Sequence, residues 1–375
     1  MKSELSVMDL HFLVDEFQAL IGGKIDQIYQ KAKEEFIIRF HIPNVGKKIL
    51  RIVPGGLIYL ASEKGQMPVK PPGFCVYLRK YLKNARIRAI RQIGSERIVE
   101  LDLETKDQRY KFIVELFSKG NVILTDDSFM IHSAMEQQVW SDRTIKPKFQ
   151  YKYPAKEYHI FALTEAQLKR LIRESEKESI VKTLASDLGI GGLYAEELCL
   201  EAGIDKTKPA KDLAATEIKS LFKAVKDMIQ RKSQPRHIMC KDEIKDIVPI
   251  ILKKYKDFES RGFPSFNKSL DDFFTAHEEK RTKAAAEKKI TVKLGKFERM
   301  MAEQEKRIKG LERSIEENKK KGELIYENYT GLSALLKKID ELRKKHSWKD
   351  VKEILKDNKM VKSIDEKTGE ITLEI

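Results

Sequence analysis

A run of closely spaced glycines is the most specific functional pattern in the sequence. The stretch LGIGGLYAEEL has the form of a helix-hairpin-helix, in which Gly189, Gly191 and Gly192 permit a tight turn. The second helix then starts with free backbone N–H groups and a positive dipole end, which suit a phosphate. The alternative is an ordinary pair of helices without a ligand, because Glu196 and Glu197 in the first turn could repel phosphate.

A second candidate for phosphate binding is a basic stretch that contains no acidic residue between Glu63 and Glu96. Tyr77 and Tyr81 are interleaved with the basic residues and could stack on bases. The alternative is that both tyrosines pack on the core and the charges only solvate a helix. The candidate nucleic-acid or ribosome contacts are Arg79, Lys80, Lys83, Arg86 and Arg88.

Sequence patterns typical of catalysis are lacking. The seven histidines do not cluster at metal-ligand spacing, and HExxH, GxSxG, Walker A and dinucleotide-binding motifs do not occur. Cys75, Cys199 and Cys240 stand far apart, which argues against a disulfide framework or a zinc site and fits a reducing cytosol. We therefore expect no enzyme, no metal, no cofactor and a cytoplasmic location.

The charge balance indicates a polyanionic partner. The 375 residues include 73 Lys and Arg against 58 Asp and Glu, a formal net charge of +15. Nucleic acid and an anionic membrane surface both fit this charge. The sequence has no apolar run near the roughly 18 residues of a spanning helix, and its start does not resemble a secretory signal. Nucleic acid is therefore favoured.

The apolar periodicity predicts an α+β region in the first part of the chain. Residues 6–23 have helical spacing, and Ser6 and Asp9 are expected to form a capping box. Between residues 24 and 155 apolar residues mostly alternate with polar ones, as in strands with one buried face. One helix is expected to interrupt these strands at 72–83.

The rest of the chain is predicted to be mainly helical. Residues 164–230 have helical patterns, whereas residues 236–266 return to short strands. From about residue 270 a long charged helix is expected, with a heptad seam of apolar residues between Ile290 and Ile325. This seam predicts a coiled coil, and a long solvated helix is the alternative. We expect the seam to pair with residues 332–345 or with another chain.

The order of these segments resembles the NFACT family, ribosome-quality-control factors formerly called fibronectin-binding proteins, and most closely its archaeal branch. The resemblance spans nearly the whole chain. It rests on the stretches PPGFCVYLRKYL (71–82), QIGSER (92–97), ELFSKGNVIL (115–124), GGLYAEE (191–197), FPSFN (263–267) and NKKKGELIYENY (318–329).

The resemblance implies an α+β fold with several parts. These are an N-terminal domain similar to DNA glycosylases of the formamidopyrimidine type, a helix-hairpin-helix insertion, a long coiled-coil helix and a small α+β tip. The expected parts are the N-terminal domain at 1–160, the helix-hairpin-helix region at 161–232, returning strands at 233–268, the coiled coil at 269–346 and the tip at 347–375.

The resemblance also implies a function in translation. Members of the family bind a large ribosomal subunit with a stalled peptidyl-tRNA and recruit tRNA, so that the nascent chain is extended without mRNA. The implied partners are the large subunit, its rRNA and tRNA, with no membrane. Peptidyl transfer belongs to the ribosome. Lys2 and Ser3 stand where those glycosylases have a catalytic proline and glutamate, so glycosylase activity is not expected. The alternatives are a nucleic-acid glycosylase or lyase-like enzyme and a coiled-coil structural adaptor.

Four positions correspond to residues that the family uses to handle tRNA. The family's Asp-Arg pair falls on Glu96 and Arg97, where a longer acid replaces the aspartate. A further acid falls on Asp9, which is also the expected capping partner of Ser6. The family's short Glu-containing motif falls on Glu115, which we expect to point outward from its strand.

Family members usually continue beyond the long helix. A returning strand of the coiled coil and a further RNA-binding domain follow in them, whereas this sequence ends at Ile375. The implied partner is a separate chain that carries this half, or a second copy of the protein paired through the coiled coil.

Overall fold

The protein consists of two compact units, Met1–Glu279 and Lys280–Ile375. The computed structural model describes residues 2–33, 35–141 and 143–374, with the backbone alone at 279–289 and 292.

The first unit is built on a nine-stranded antiparallel sheet in the order β4-β3-β2-β1-β5-β6-β7-β8-β9. Its strands are β1 (Lys24–Lys31), β2 (Glu35–Ile42), β3 (Gly46–Val53), β4 (Leu57–Ala61), β5 (Arg86–Gln92), β6 (Ile98–Glu104), β7 (Arg109–Glu115), β8 (Asn121–Asp126) and β9 (Ile131–Ala134). The alternating patterns predicted strands here, and the structure confirms them. A separate hairpin follows, made of β10 (Gln138–Val139) and β11 (Thr144–Ile145).

Helix α1 (Val7–Phe17) connects the sheet to the helical part of the unit. The predicted capping box is confirmed, since Asp9 N donates to Ser6 Oγ at 3.0 Å and Ser6 N donates to Asp9 Oδ2 at 2.8 Å. One face of α1 packs into the core of the sheet and another into the core of the helices. The helix ends earlier than the predicted 6–23, because the chain tightens into a 3₁₀ turn before Gly22 at a φ of +83°.

The remaining helices of the first unit are short. They are α2 (Gly73–Leu82), α3 (Glu165–Glu174), α4 (Ile180–Lys182), α5 (Gly192–Ala202) and α6 (Ala215–Ile229). Helix α4 continues into a single π-helical segment, Thr183–Asp187, and the glycine turn leads from there into α5. Helices α3, α5 and α6 bury their apolar faces in one shared core.

A second, three-stranded sheet in the order β13-β12-β14 follows the helices. Its strands are β12 (Arg236–Cys240), β13 (Glu243–Val248) and β14 (Ser260–Gly262). The sequence predicted short strands at 236–266, and in the described part of the chain they pair with one another rather than with the nine-stranded sheet. The buried His237 of β12 contacts Ser269 O through its Nε2 at 2.7 Å.

Helix α7 (Phe266–Glu327) begins in the first unit, where the Glu16 carboxylate accepts the Phe266 N–H at 2.6 Å and the Asn267 N–H at 2.9 Å. The second unit contains most of this helix. It also contains α8 (Tyr329–Arg343), α9 (Trp348–Ile354), β15 (Val361–Ile364) and β16 (Ile371–Leu373).

The apolar seam of α7 is exposed, from 51% at Ile325 to 66% at Ile315. The expectation that it pairs with residues 332–345 is wrong, because α8 turns its apolar residues to another partner. Leu335 and Ile339 of α8 pack with Val351 and other residues of α9 and the β15–β16 hairpin. Pairing of the seam with another chain stays a prediction.

Candidate nucleic-acid interface

A cleft of about 480 Å³ in the first unit brings together parts of the chain that are far apart in sequence. It is lined by the N-terminal segment, by Arg97 from the turn before β6, by the glycine turn before α5, and by Asp246 of β13. Five predicted site residues therefore meet in one place. They are Asp9, Arg97, Gly189, Gly191 and Gly192.

Asp9 forms a wall of this cleft and is almost fully buried. Besides the Ser6 N–H it accepts the Tyr194 hydroxyl at 2.8 Å, and the Lys2 ammonium lies 2.9 Å from its Oδ2. Burial, together with the Asp9 carboxylate, raises the pKa of Tyr194 well above its ordinary value, so that the hydroxyl stays a donor. Asp9 thus ties α1 to α5, and its oxygens are already engaged.

Lys2 fixes the start of the chain against the second sheet. Its ammonium donates to Ile247 O at 2.8 Å and lies 3.8 Å from Asp246 Oδ1, and its side chain is only 6% exposed. The buried Asp9 and the partly buried Asp246, both in the cleft, therefore share this cation.

Arg97 lies at the rim of the cleft with 24% of its side chain exposed. Its Nη1 lies 2.6 Å from Glu4 Oε2 and 3.4 Å from Leu5 O. Glu4 is an exposed partner, with 61% of its side chain accessible. Exposed ion pairs contribute little, so a phosphate could take the place of Glu4 on the guanidinium.

Glu96 does not pair with Arg97 and does not line the cleft. Its Oε1 lies 3.5 Å from Lys156 Nζ, and the same ammonium donates to Ser95 O at 3.0 Å. Lys156 also lies against the glycine turn, since a Cβ added at Gly189 would come within 2.4 Å of its Nζ. Sequence reasoning missed this cation, because no motif surrounds it and only the fold places it beside the turn.

The glycine turn has the backbone geometry that its sequence predicts. Gly189 and Gly191 have φ values of +73° and +80°, which L side chains rarely adopt. A Cβ added at Gly191 or Gly192 would meet nothing within 4 Å, so the start of α5 is open to the cleft. The first turn of a helix leaves N–H groups without intrahelical partners, and its dipole favours an anion there.

The side chains of the two acids that argued against phosphate at this helix are engaged by other groups outside the cleft. Glu196 pairs with Lys254 and, at 3.1 Å, with Lys206, and these ammonium groups lower its pKa. Glu197 is buried, which raises its pKa, and it accepts the backbone N–H groups of Lys253 at 2.6 Å and Lys254 at 2.9 Å. Neither side chain lines the cleft.

The basic stretch is balanced in space by the neighbouring strand. Arg88 Nε donates to Glu104 Oε2 at 2.5 Å, while Arg91 Nη2 lies 2.5 Å from Glu100 and 2.9 Å from Asp102. These pairs form because β5 and β6 are antiparallel neighbours, and the sequence supplies the acids one strand later. Arg88 and Arg91 therefore have acidic partners on β6, and contact of the stretch with phosphate stays a prediction.

The other residues of the basic stretch also lie away from the cleft. Arg79 donates to Ile28 O at 2.6 Å and lines, with Lys83, a separate cleft of about 280 Å³ along β1. The rings of Tyr77 and Tyr81 lie 4.5 Å apart and pack against the core, which favours the packing interpretation. The predicted basic contacts that do not line the glycine cleft are Arg79, Lys80, Lys83, Arg86 and Arg88.

Glu115 is buried, which corrects the expectation that it points outward. It is 2% exposed and accepts Arg143 Nη1 at 2.7 Å, Arg143 Nη2 at 3.3 Å and the Tyr151 hydroxyl at 2.9 Å. The alternation along β7 suggested one buried face. A second apolar cluster that includes Ile113 and Tyr151 covers the other face as well.

No group of three His, Cys, Asp or Glu side chains among the described residues is placed to hold a metal ion. No helix in that part of the chain has the length and apolar character needed to cross a membrane.

Comparison with known proteins gives one consistent result. The family model of the NFACT N-terminal and middle domains matches residues 6–372. The archaeal Rqc2 homolog aRqcH of Methanocaldococcus jannaschii is 35% identical over 394 residues, which cover 100% of this chain and 58% of that protein. The human ribosome quality control complex subunit NEMF is 25% identical, over 88% of this chain and 33% of its own length. The chain thus spans little more than half of the first relative and a third of the second.

Two solved structures share the mixed α/β fold. The fibrinogen binding protein from Staphylococcus aureus has a TM-score of 0.61 at 22% identity, over 72% of this chain and 98% of its own. The N-terminal part of the fibronectin/fibrinogen-binding protein from Streptococcus suis has a TM-score of 0.59 at 24% identity, over 73% and 100%. At these identities the likeness concerns the fold alone.

Proposed function

The chain belongs to the family of the NFACT N-terminal and middle domains, and on that basis we propose that it is a ribosome-quality-control factor. It binds a large ribosomal subunit that carries a stalled peptidyl-tRNA and recruits tRNA for extension of the nascent chain without mRNA. The observation that carries the tRNA contact is the cleft in which Arg97 meets the glycine turn. The names of the relatives, which are ribosome quality control proteins, support the wider role.

An RNA phosphate fits the cleft at the side that Arg97 and the start of α5 line. The Asp9 and Asp246 carboxylates share the Lys2 ammonium, and Glu4 pairs with Arg97. A phosphate that displaces the exposed Glu4 would gain a forked guanidinium contact and the N–H groups at the start of α5. Asp9 holds these walls together, so its part in RNA binding is to position them.

Glu96 supports the same site indirectly in this proposal. Its contact with Lys156 holds an ammonium beside Gly189, where it adds positive charge next to the glycine turn. Glu115 likewise positions other groups, because its oxygens are engaged by Arg143 and Tyr151 inside the protein.

The finer description of the fold is part of this proposal. The helical segment before the turn and α5 after it support a helix-hairpin-helix around the glycines. The exposed apolar seam of α7 supports a coiled coil with another chain. The glycosylase-like N-terminal domain and the boundaries at 160, 232, 268 and 346 stay predictions.

The test is the affinity for tRNA of an Arg97→Ala variant, measured by fluorescence anisotropy with end-labelled tRNA. Loss of a charge-assisted contact of roughly 1.5–3 kcal/mol corresponds to an affinity about 10- to 150-fold lower. Arg109→Ala is the matched control, since Arg109 is an exposed arginine with an acidic partner, Glu104 at 3.4 Å, outside the cleft.

Unchanged tRNA affinity in Arg97→Ala, with circular dichroism showing an intact fold, would remove Arg97 from the site. An equal loss in Arg109→Ala would instead show that only total charge matters. The salt dependence of binding separates these cases further, because each lost phosphate contact reduces the magnitude of the negative slope of log K against log salt by about one unit.

A further inference from the structure

An exposed tryptophan lies on the β10–β11 hairpin of the first unit. Trp140 is 41% exposed, and its backbone N–H donates to Arg143 O at 2.9 Å across the hairpin. The Arg143 guanidinium carbon lies 4.5 Å from the centre of the Trp140 ring and 5.5 Å from that of Phe117. A cation at this distance over a ring is attracted by its π-electrons, so Arg143 holds the indole in place.

The cation under Trp140 is itself fixed by the core. Arg143 is almost fully buried and makes two contacts with the Glu115 carboxylate, at 2.7 and 3.3 Å. Glu115 also accepts the Tyr151 hydroxyl, which anchors it from a second side. An indole on such a support loses little conformational entropy when a ligand stacks on it, because the support is already ordered.

The charge around the hairpin favours a polyanion over an apolar protein surface. Residues 137–152 contain Arg143 and three lysines against the single acid Asp142. Lys148 and Lys152 are exposed, and the three lysines form no ion pair with any residue that the structure describes. An exposed aromatic ring on a segment with a net positive charge is a combination that binds single-stranded nucleic acid.

We propose that Trp140 is a stacking surface for an unpaired base of the RNA that this protein binds, with Arg143 and Glu115 as its positioning residues. This inference rests on the proposed RNA-binding function and adds a second contact to the cleft at Arg97. The base lies on the exposed part of the indole. Glu115 thus serves RNA binding through Arg143 and without touching RNA.

The test uses the intrinsic fluorescence of Trp140 in the full chain. The sequence contains two tryptophans, so Trp348→Phe leaves Trp140 as the sole indole emitter. We expect tRNA to quench this fluorescence on binding. A single-stranded RNA that quenches the fluorescence is then compared with an oligonucleotide of the same length that has abasic residues throughout. The abasic oligonucleotide keeps the phosphates without the bases and is expected to leave the fluorescence nearly unchanged.

Affinity measurements complete the experiment. Trp140→Ala is expected to weaken tRNA binding roughly 5- to 150-fold, the range for one stacked base, whereas Trp140→Phe keeps most of the affinity. Val139→Ala is the matched control, because Val139 is 61% exposed on the same hairpin and offers apolar area without a π-face. We expect it to bind tRNA as the parent does.

The outcomes separate this inference from the function on which it rests. Binding of tRNA without quenching, or with full affinity in Trp140→Ala, overturns the stacking role and leaves the RNA-binding function standing. Equal losses in Trp140→Ala and Val139→Ala would show an apolar docking surface and overturn stacking as well. No tRNA binding by the parent protein, with the fold intact, overturns the proposed function itself.

Discussion

The buried pair of Glu115 and Arg143 gives a prediction whose size follows from the structure. The Glu115 and Arg143 side chains are 2% and 7% exposed, so solvent screens their interaction poorly. Arg143→Met removes the cation and leaves the Glu115 carboxylate with the Tyr151 hydroxyl as its remaining hydrogen-bond partner among the residues that the structure describes. Removing one partner of a buried ion pair costs roughly 3–5 kcal/mol, and we expect that loss in the free energy of unfolding.

The double variant Glu115→Leu/Arg143→Met is expected to lose less than either single change. Replacing both charges by apolar groups avoids the unpaired ion, and the remaining cost is the Tyr151 hydroxyl without an acceptor, roughly 1–3 kcal/mol. The sum of the single losses would therefore exceed the loss of the double variant by several kcal/mol, which is the coupling that a double-mutant cycle measures.

Urea denaturation followed by far-ultraviolet circular dichroism measures the free energy of unfolding of Glu115→Leu, Arg143→Met and the double variant. A loss below about 1 kcal/mol in Arg143→Met would refute the reasoning, because that value belongs to an exposed pair. A direct contact between Glu115 and tRNA makes a different prediction. In that case Glu115→Gln, which keeps the side-chain volume, would lower tRNA affinity while leaving stability unchanged.

Two further changes test the cleft and the second sheet. Glu4→Gln removes the competing carboxylate from Arg97 and is expected to tighten tRNA binding by up to about 5-fold, which corresponds to the free energy of an exposed ion pair. Weaker binding in the same anisotropy assay would mean that Glu4 orients Arg97 for its ligand. Burial lowers the pKa of His237 below its ordinary 6.5, so the unfolded chain binds the extra proton and stability falls as pH drops below about 6.5. Urea denaturation between pH 7 and 5 is expected to show this loss of stability, at most about 1.4 kcal/mol per pH unit. The His237→Gln variant is expected to show a smaller loss. A pH profile in that variant that equals the parent's would exclude His237 as the source.

Local sequence patterns predicted the elements of the first unit well. Period-two alternation identified strands such as β6 and β7, and the capping pair of Ser6 and Asp9 located the start of α1. These patterns are properties of neighbours along the chain. The glycine turn belongs to the same class, since its positive φ values follow from a short run of residues.

The composition of the site could not be predicted in the same way. Arg97 lines the same cleft as a turn about ninety residues later in the chain, and only the fold brings the two together. The basic stretch appeared free of acids because its partners, Glu100 and Glu104 among them, lie in the next strand. Glu115 was misplaced because alternation does not show whether a sheet is covered on both faces. Both errors concern the residues that a strand contacts from distant or neighbouring parts of the chain in the folded protein.

The connectivity of the nine-stranded sheet concentrates the entropic cost of forming it at one position. Seven of its eight pairings join strands that follow one another in the chain, and each closes a short loop. The pairing of β1 with β5, where Lys24 meets Arg86, instead closes a loop of about sixty residues. By the logarithmic dependence of closure entropy on loop length, that step costs roughly 2 kcal/mol more than closing a five-residue hairpin. The two meanders that it joins, β1–β4 and β5–β9, are each made of local contacts, so the long-range order of the sheet depends on this single pairing and on the helices packed across it.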